Sequence, residues 1–212
     1  MRRVSRPAFL RYIAAGSPLS APIVKSRGRT LANTSTAAPH NVTMPSGITA
    51  GDLLLVWFTR NFGLPTSTPS GWTQLAVVGS SSRSVLYGKI AAGGDTCAVP
   101  HDGSYWCQSS SWRISGCDSL SKVFTSTGVE TADPDAISGL ASADYLTLAL
   151  FSSTGASTFT GYPAGYGDQF YTSNTPQQAS AEKTFSSVTG EDPGTFTTTN
   201  SLPCSLTVMI KS

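Results

Sequence analysis

The chain has 212 residues and a formal charge of +2. Ser and Thr account for 58 of them, Gly and Pro add 33, and charged residues are only 12%, about half the usual share. No apolar run nears the roughly 20 residues that cross a bilayer, which excludes a helical membrane span, and the size suits one hydroxyl-rich domain better than two very small ones.

Charge is unevenly placed along the chain. Residues 1–30 hold Arg2, Arg3, Arg6, Arg11, Lys25, Arg27 and Arg29 and no acid, whereas the other 182 carry 7 basic and 12 acidic groups, a net of −5. The opening Met1-Arg2-Arg3-Val4-Ser5-Arg6-Pro7 has the basic start of an export signal, but Arg11 interrupts its apolar core, so a cleaved signal is not expected. Phe9, Leu10, Tyr12, Ile13, Ile23 and Val24 are interleaved with the basic residues, and Pro7, Pro18 and Pro22 restrict helix to residues 8–15. An extended arm over 1–30 that clamps onto protein fits this pattern. Nucleic-acid tails carry denser Lys and Arg and fewer aliphatics. A solvated tail is the plainer alternative.

Residues 31–212 read as an all-β domain, with strand patterns every ten or so residues between Gly, Pro, Ser and Asn turns. Strands are expected at 30–34, 42–44, 53–60, 73–78, 85–90, 96–99, 109–114 and 122–127. They continue at 145–151, 167–171, 179–185, 194–198 and 205–210. The run Leu53-Leu54-Leu55-Val56-Trp57-Phe58 is too continuous for a strand with one wet face, so it belongs mid-sheet with both faces covered. Its outer cover would be the arm, a loop or a neighbouring subunit.

The domain repeats itself over about 50–116 and 142–211. Gly51-Asp52-Leu53, Pro69-Ser70-Gly71-Trp72, Gly93-Gly94-Asp95 and Trp112-Arg113-Ile114 return as Ala143-Asp144-Tyr145, Pro163-Ala164-Gly165-Tyr166, Gly190-Glu191-Asp192 and Leu206-Thr207-Val208-Met209-Ile210. Two such units can lay their apolar faces together as a β-sandwich.

Chemistry-bearing patterns are sparse. His40 and His101 have no adjacent carboxylate and nucleophile in a known arrangement, and Ser and Thr are too common for a triad drawn among them to mean anything. Asp133, Asp135 and Glu130 read as a solvated loop rather than a cation site. Asp52 and Asp144 are expected to set turns through backbone amides. Cys97, Cys107, Cys117 and Cys204 lack zinc spacing and are expected as buried thiols, with a disulfide from Cys97 to Cys107 or Cys117 as the alternative. No cofactor or metal is expected. Trp72 and Tyr166, after turn glycines, would lid the core or, if exposed, stack on sugar. Tyr105 and Trp106, and Tyr162 in the aromatic loop 160–171, are further candidates for an exposed interface or a glycan contact.

The order Ile48-Thr49-Ala50-Gly51-Asp52-Leu53-Leu54-Leu55, Thr68-Pro69-Ser70-Gly71-Trp72-Thr73, Val85-Leu86-Tyr87-Gly88-Lys89-Ile90-Ala91 and Ser111-Trp112-Arg113-Ile114-Ser115-Gly116 resembles tailed-bacteriophage virion proteins with a jelly-roll-like β-sandwich. That set includes capsid decoration (cement) proteins and tail or fibre components, and the resemblance covers about residues 40–211. It implies a non-enzymatic subunit on the capsid surface of a virion assembled in the host cytoplasm. The expected partners are the major capsid protein and further copies of this chain, with trimers suited to local three-fold sites. Arg2, Arg3, Arg6, Phe9, Arg11, Tyr12, Lys25, Arg27 and Arg29 would make the capsid contact. The alternative is a tail- or head-fibre adhesin whose partner is a host glycan. A coat protein whose arm binds the genome is a third reading; nucleic acid and membrane are not expected partners.

Overall fold

Two five-stranded antiparallel sheets, one from each half of the chain, pack as a β-sandwich. The computed structural model describes residues 20–36, 39–63, 65–79, 83–103, 105–155, 158–173, 175–199 and 202–212, without the side chains of 31–36 and 83. The first sheet runs in the order β1 (Ile23–Thr36), β7 (Tyr105–Ser115), β3 (Leu53–Arg60), β5 (Arg83–Ile90), β4 (Thr73–Val78). The second runs β8 (Val123–Thr125), β14 (Pro203–Lys211), β9 (Ala143–Ser153), β12 (Gln177–Val188), β11 (Gly167–Thr172). Matched strand for strand in chain order, the two sheets have the same topology. Among the described residues each half stays in its own sheet, so the sandwich is shown without the interleaved strand order of a jelly roll. Among the described residues there is no α-helix, only a 3₁₀ turn at Leu120–Lys122.

The repeated Pro-x-Gly-aromatic motif produces the same turn twice. The amide of Trp72 donates to the Pro69 carbonyl at 3.0 Å and that of Tyr166 to Pro163 at 3.3 Å. Gly71 and Gly165 have φ of 75° and 76°, the third position of a type II turn where a Cβ is disfavoured.

Both faces of each central strand are buried. Leu53, Leu55, Trp57, Leu86, Trp112 and Ile114 meet Leu146, Leu148, Leu150, Leu206, Val208 and Ile210 between the sheets. Leu54, Val56 and Phe58 point the other way and are covered by Val42, Trp72, Cys97 and Val99. A loop layer therefore supplies the outer cover, including the short pair β2 (His40–Asn41) with β6 (Ala98–Val99). On the second sheet Ala149 and Phe151 lie under Tyr166 and Phe196, near the pair β10 (Phe159–Gly161) with β13 (Thr197–Thr198). Gly28 lets the first layer close down, since a Cβ there would fall 2.1 Å from the Thr43 carbonyl oxygen.

Several expectations change. The strand expected at 42–44 forms at 40–41, because Val42 instead donates to Cys97 to bring the cover into place. Residues 23–30, grouped by charge with the arm, form the start of the edge strand β1, paired from Ile23 opposite Ser115. The repeat also slips by one residue: Leu53 pairs with Ile90 and Ile114, and its inward counterpart is Leu146, paired with Thr184 and Ile210, rather than Tyr145. The two aspartates consequently differ. Asp52 accepts from the Thr49 amide at 2.8 Å and from Arg113 Nε at 2.7 Å. Asp144 accepts from the Ser187 amide at 2.9 Å, across the bulge in β12.

Polar groups also cross between the sheets. Glu182, 4% exposed at its side chain, receives both arms of the Arg27 guanidinium and, at 3.0 Å, the indole Nε1 of Trp112. Arg29 lies with Cζ 3.1 Å from the Phe170 ring centroid. Towards the other end, the Gln178 amide donates to the Trp57 carbonyl and to Thr59 Oγ1 and accepts from Ser110, while Ser84 and Ser152 share a hydrogen bond of 2.6 Å. Removing the cation from a buried carboxylate leaves an uncompensated charge, so Arg27→Ala is expected to lower stability by about 2–3 kcal/mol. Urea unfolding of Arg27→Ala, Glu182→Leu and the double variant checks this, and the double variant should lose less than Arg27→Ala alone.

Candidate functional site

The end of the first sheet where β3 stops and β7 begins carries the largest concentration of exposed aromatic surface among the described residues. Phe62 is 62% exposed, Trp106 44% and Tyr105 36%. Phe62 and Tyr105 lie 6.2 Å apart, centroid to centroid. The chain reaches this tip because β3 and β7 are neighbours and end together, Arg60 opposite Cys107, and because the Asn61 amide donates to the Trp106 carbonyl at 3.3 Å.

Beneath the aromatics is an ordered polar support. Arg60 is 1% exposed, and its Nη2 donates to the backbone oxygen and to Oδ1 of Asp102, the latter at 2.9 Å. Its Cζ sits 4.2 Å from the Tyr105 ring centroid, a cation–π contact. Asp102 itself is 77% exposed at its side chain. The Arg60 hydrogen bond, then its charge, holds the Asp102 carboxyl below the usual carboxylate range. His101, 4% exposed, has neither ring nitrogen hydrogen-bonded among the described residues. A buried guanidinium that fixes an exposed carboxylate and an exposed ring is an expensive arrangement, and it holds surface groups at set positions.

The repeat provides an internal comparison for this site. By inward-facing register, Arg60 corresponds to Ser153 and Trp106 to Leu202, which is 46% exposed. An apolar residue at the tip is thus common to both halves, but the aromatic group with its Arg60–Asp102 support belongs to the first alone.

The residues singled out in the sequence are placed unevenly. Tyr105 and Trp106 are at the tip. Trp72, 7% exposed, is buried as a lid and donates its Nε1 to the Thr96 carbonyl at 3.1 Å. Tyr166, 5% exposed, is likewise buried, with its hydroxyl donating to Glu191 at 3.2 Å. Neither is available for sugar stacking, because each ring closes an outer cluster. Tyr162 is half-buried against Phe159 and Phe196. Lys25, Arg27 and Arg29 are all exposed on β1; Arg27 is paired with Glu182 and Arg29 lies over the Phe170 ring. Arg2, Arg3, Arg6, Phe9, Arg11 and Tyr12 lie outside the described residues. Phe62, Arg60 and Asn61 were missed; the available signal was an arginine closing an otherwise apolar strand just before Asn-Phe-Gly.

All four cysteines are buried and none forms a disulfide. Burial pushes the Cys97 thiol up to about 12, which suppresses thiolate chemistry. Among the described residues no three His, Cys, Asp or Glu side chains are grouped to hold a metal. In comparisons with known proteins, the chain matches no family model, no curated protein and no solved structure.

His40, at the joint between the cover and the first sheet, meets Ser109 Oγ at 3.0 Å through Nε2 and packs edge-on to Phe58. Burial, then the neighbouring His101, pushes its pKa down to about 4. The unfolded chain therefore takes up this proton first. The neutral ring's contribution is complete above about pH 6.5 and is lost as pH falls toward 4, a difference of about 3 kcal/mol at most. Unfolding of wild type and His40→Gln measured between pH 7 and 4 should converge as the pH falls, because the variant lacks this titration.

Proposed function

We propose that the chain is a non-enzymatic phage virion protein, a decoration or cement subunit that binds the coat-protein shell at the capsid surface. The observation that carries this reading is the polarity of the molecule. Residue 22 leads into β1 at the end where Ile23 faces Ser115, and the tip lies at the other end, where Thr36 faces Tyr105. The described chain thus enters the sandwich at one end, and the aromatic tip lies at the other. Arg27 is paired with Glu182, so the shell contact rests chiefly on Arg2, Arg3, Arg6 and Arg11, with Phe9 and Tyr12 for apolar contact, and on exposed Lys25 and Arg29 of β1. Each contact is modest, and many copies acting together stiffen the shell; the resemblance over residues 40–211 and the hydroxyl-rich, weakly charged body support membership of a large assembly, with the subunit self-associating as a homo-oligomer.

A second reading, an adhesin that binds host glycan, is favoured by the exposure of Tyr105 and Trp106. Co-sedimentation with coat-protein shells lacking this subunit separates the two. A variant with Arg2, Arg3, Arg6 and Arg11 changed to Ser leaves β1 intact, unlike removal of residues 1–30. The full chain is expected to bind saturably and the variant at least roughly tenfold more weakly. Equal binding by both would overturn the arm's role. No binding by either, with retention on host cell-surface glycan, would overturn the shell role.

A further inference from the structure

We infer that the free edge of β1 is a docking site for an extended acidic segment of a partner protein, which adds to the first sheet and sets its carboxylates against Lys25, Arg27 and Arg29. Such docking goes beyond the shell reading and does not depend on it, because the chemistry belongs to the strand whatever assembly supplies the segment.

Three features of β1 point to this partner. The first is an unpaired edge. β1 ends the strand order of its sheet with β7 as its one neighbour, and among the described residues no further backbone hydrogen bond reaches it. Between its two register shifts the strand runs regularly for seven residues, from Ser26 opposite Arg113 to Ala32 opposite Cys107. A regular edge of this kind is a template for main-chain hydrogen bonds with an added strand. The corresponding edge strand of the second sheet, β8, has only 3 residues, so a long edge is not a requirement of the fold.

The second is charge. Lys25, Arg27 and Arg29 are exposed at alternate positions, and β1 contains no acidic residue. Two copies of this edge paired antiparallel about Arg27 would set like charges across the new ladder, which is destabilising. The edge therefore selects an acidic strand over a second β1.

The third is an open cation. Arg27, Arg60 and Arg113 are each paired with a carboxylate, on Glu182, Asp102 and Asp52. Arg29 has no such partner among the described residues; it lies over the Phe170 ring, and partial burial, then the neighbouring Arg27, lowers its pKa. Stacking orients the guanidinium plane and leaves its N–H edge for a carboxylate, the geometry of a bidentate pair.

The probe is a fluorescein-labelled peptide alternating Glu and Thr, followed by anisotropy. One control is the same peptide N-methylated along its backbone, which keeps the charge but cannot donate to a ladder; the other alternates Lys and Thr. Wild type and the variant with Arg2, Arg3, Arg6 and Arg11 changed to Ser are both titrated, which separates attraction to the N-terminal segment from binding at β1. Both are expected to bind the acidic peptide saturably, and the two control peptides at least roughly tenfold more weakly. Arg29→Ser should weaken binding by at least the same factor, and Arg29→Lys, which keeps the charge without the fork, by less. Amide exchange within 26–32 should slow in the bound state while that of β8 does not. The comparison of methylated and unmethylated peptide on wild type needs no variant. Equal binding of the N-methylated peptide, loss of binding when the four N-terminal arginines are changed, or no binding at millimolar peptide would overturn the inference. So would self-association that already protects the amides of 26–32 without peptide, since a second copy would then hold the edge.

Discussion

The whole arrangement follows from the need to bury both faces of β3 and β9. Six consecutive residues from Leu53 to Phe58 have no measurable exposure. A two-layer sandwich can hide only the inward half of such a strand, and each fully buried Leu, Val or Phe is worth about 1.5–3 kcal/mol only when water is excluded from it. Hence the loops between strands cannot be free. They fold back as an outer layer on each sheet, Val42, Trp72 and Val99 on one and Tyr166 and Phe196 on the other. The Pro-x-Gly-aromatic turns deliver Trp72 and Tyr166 to those layers.

An apolar interface by itself allows two similar sheets to slide or exchange. The polar groups between them oppose this. Gln178 reaches two neighbouring strands of the opposite sheet, and Arg27 reaches Glu182 from the edge strand. Hydrogen bonds have directions, so a shift of one residue would leave several buried polar atoms unpaired. This also explains why Arg27, one of the basic residues nearest the domain, is paired within it. Their apparent membership of a basic arm was a matter of sequence proximity, and β1 recruits them into the sheet edge.

The tip stands apart from this economy. Most of the buried polar groups join one part of the molecule to another, but Arg60 is buried to hold two groups that face solvent. The duplicated architecture strengthens the contrast, since a feature required by the fold would be expected at both ends of the repeat. Its presence in one half distinguishes one pole of the sandwich from the other, the one opposite the entry of β1.

Much of the fold was legible in the sequence. Apolar alternation and turn residues set the limits of β3 and β4, the repeat implied two matching units, and the unbroken run in β3 required cover on both faces. These are local properties, written in periods of two and in glycines that occupy left-handed turns. What the sequence could not settle depended on distant partners: that a loop supplies the cover, that Leu53 matches Leu146 rather than Tyr145, and that Trp72 and Tyr166 are lids. Burial of an aromatic side chain is decided by what lies above it, and Asp102 meets Arg60 across 42 residues. By itself the sequence determined an all-β sandwich of two similar halves; only the tertiary structure, by bringing strand ends and loops together, decided which aromatic side chains remain on the surface and which charges are paired within the domain.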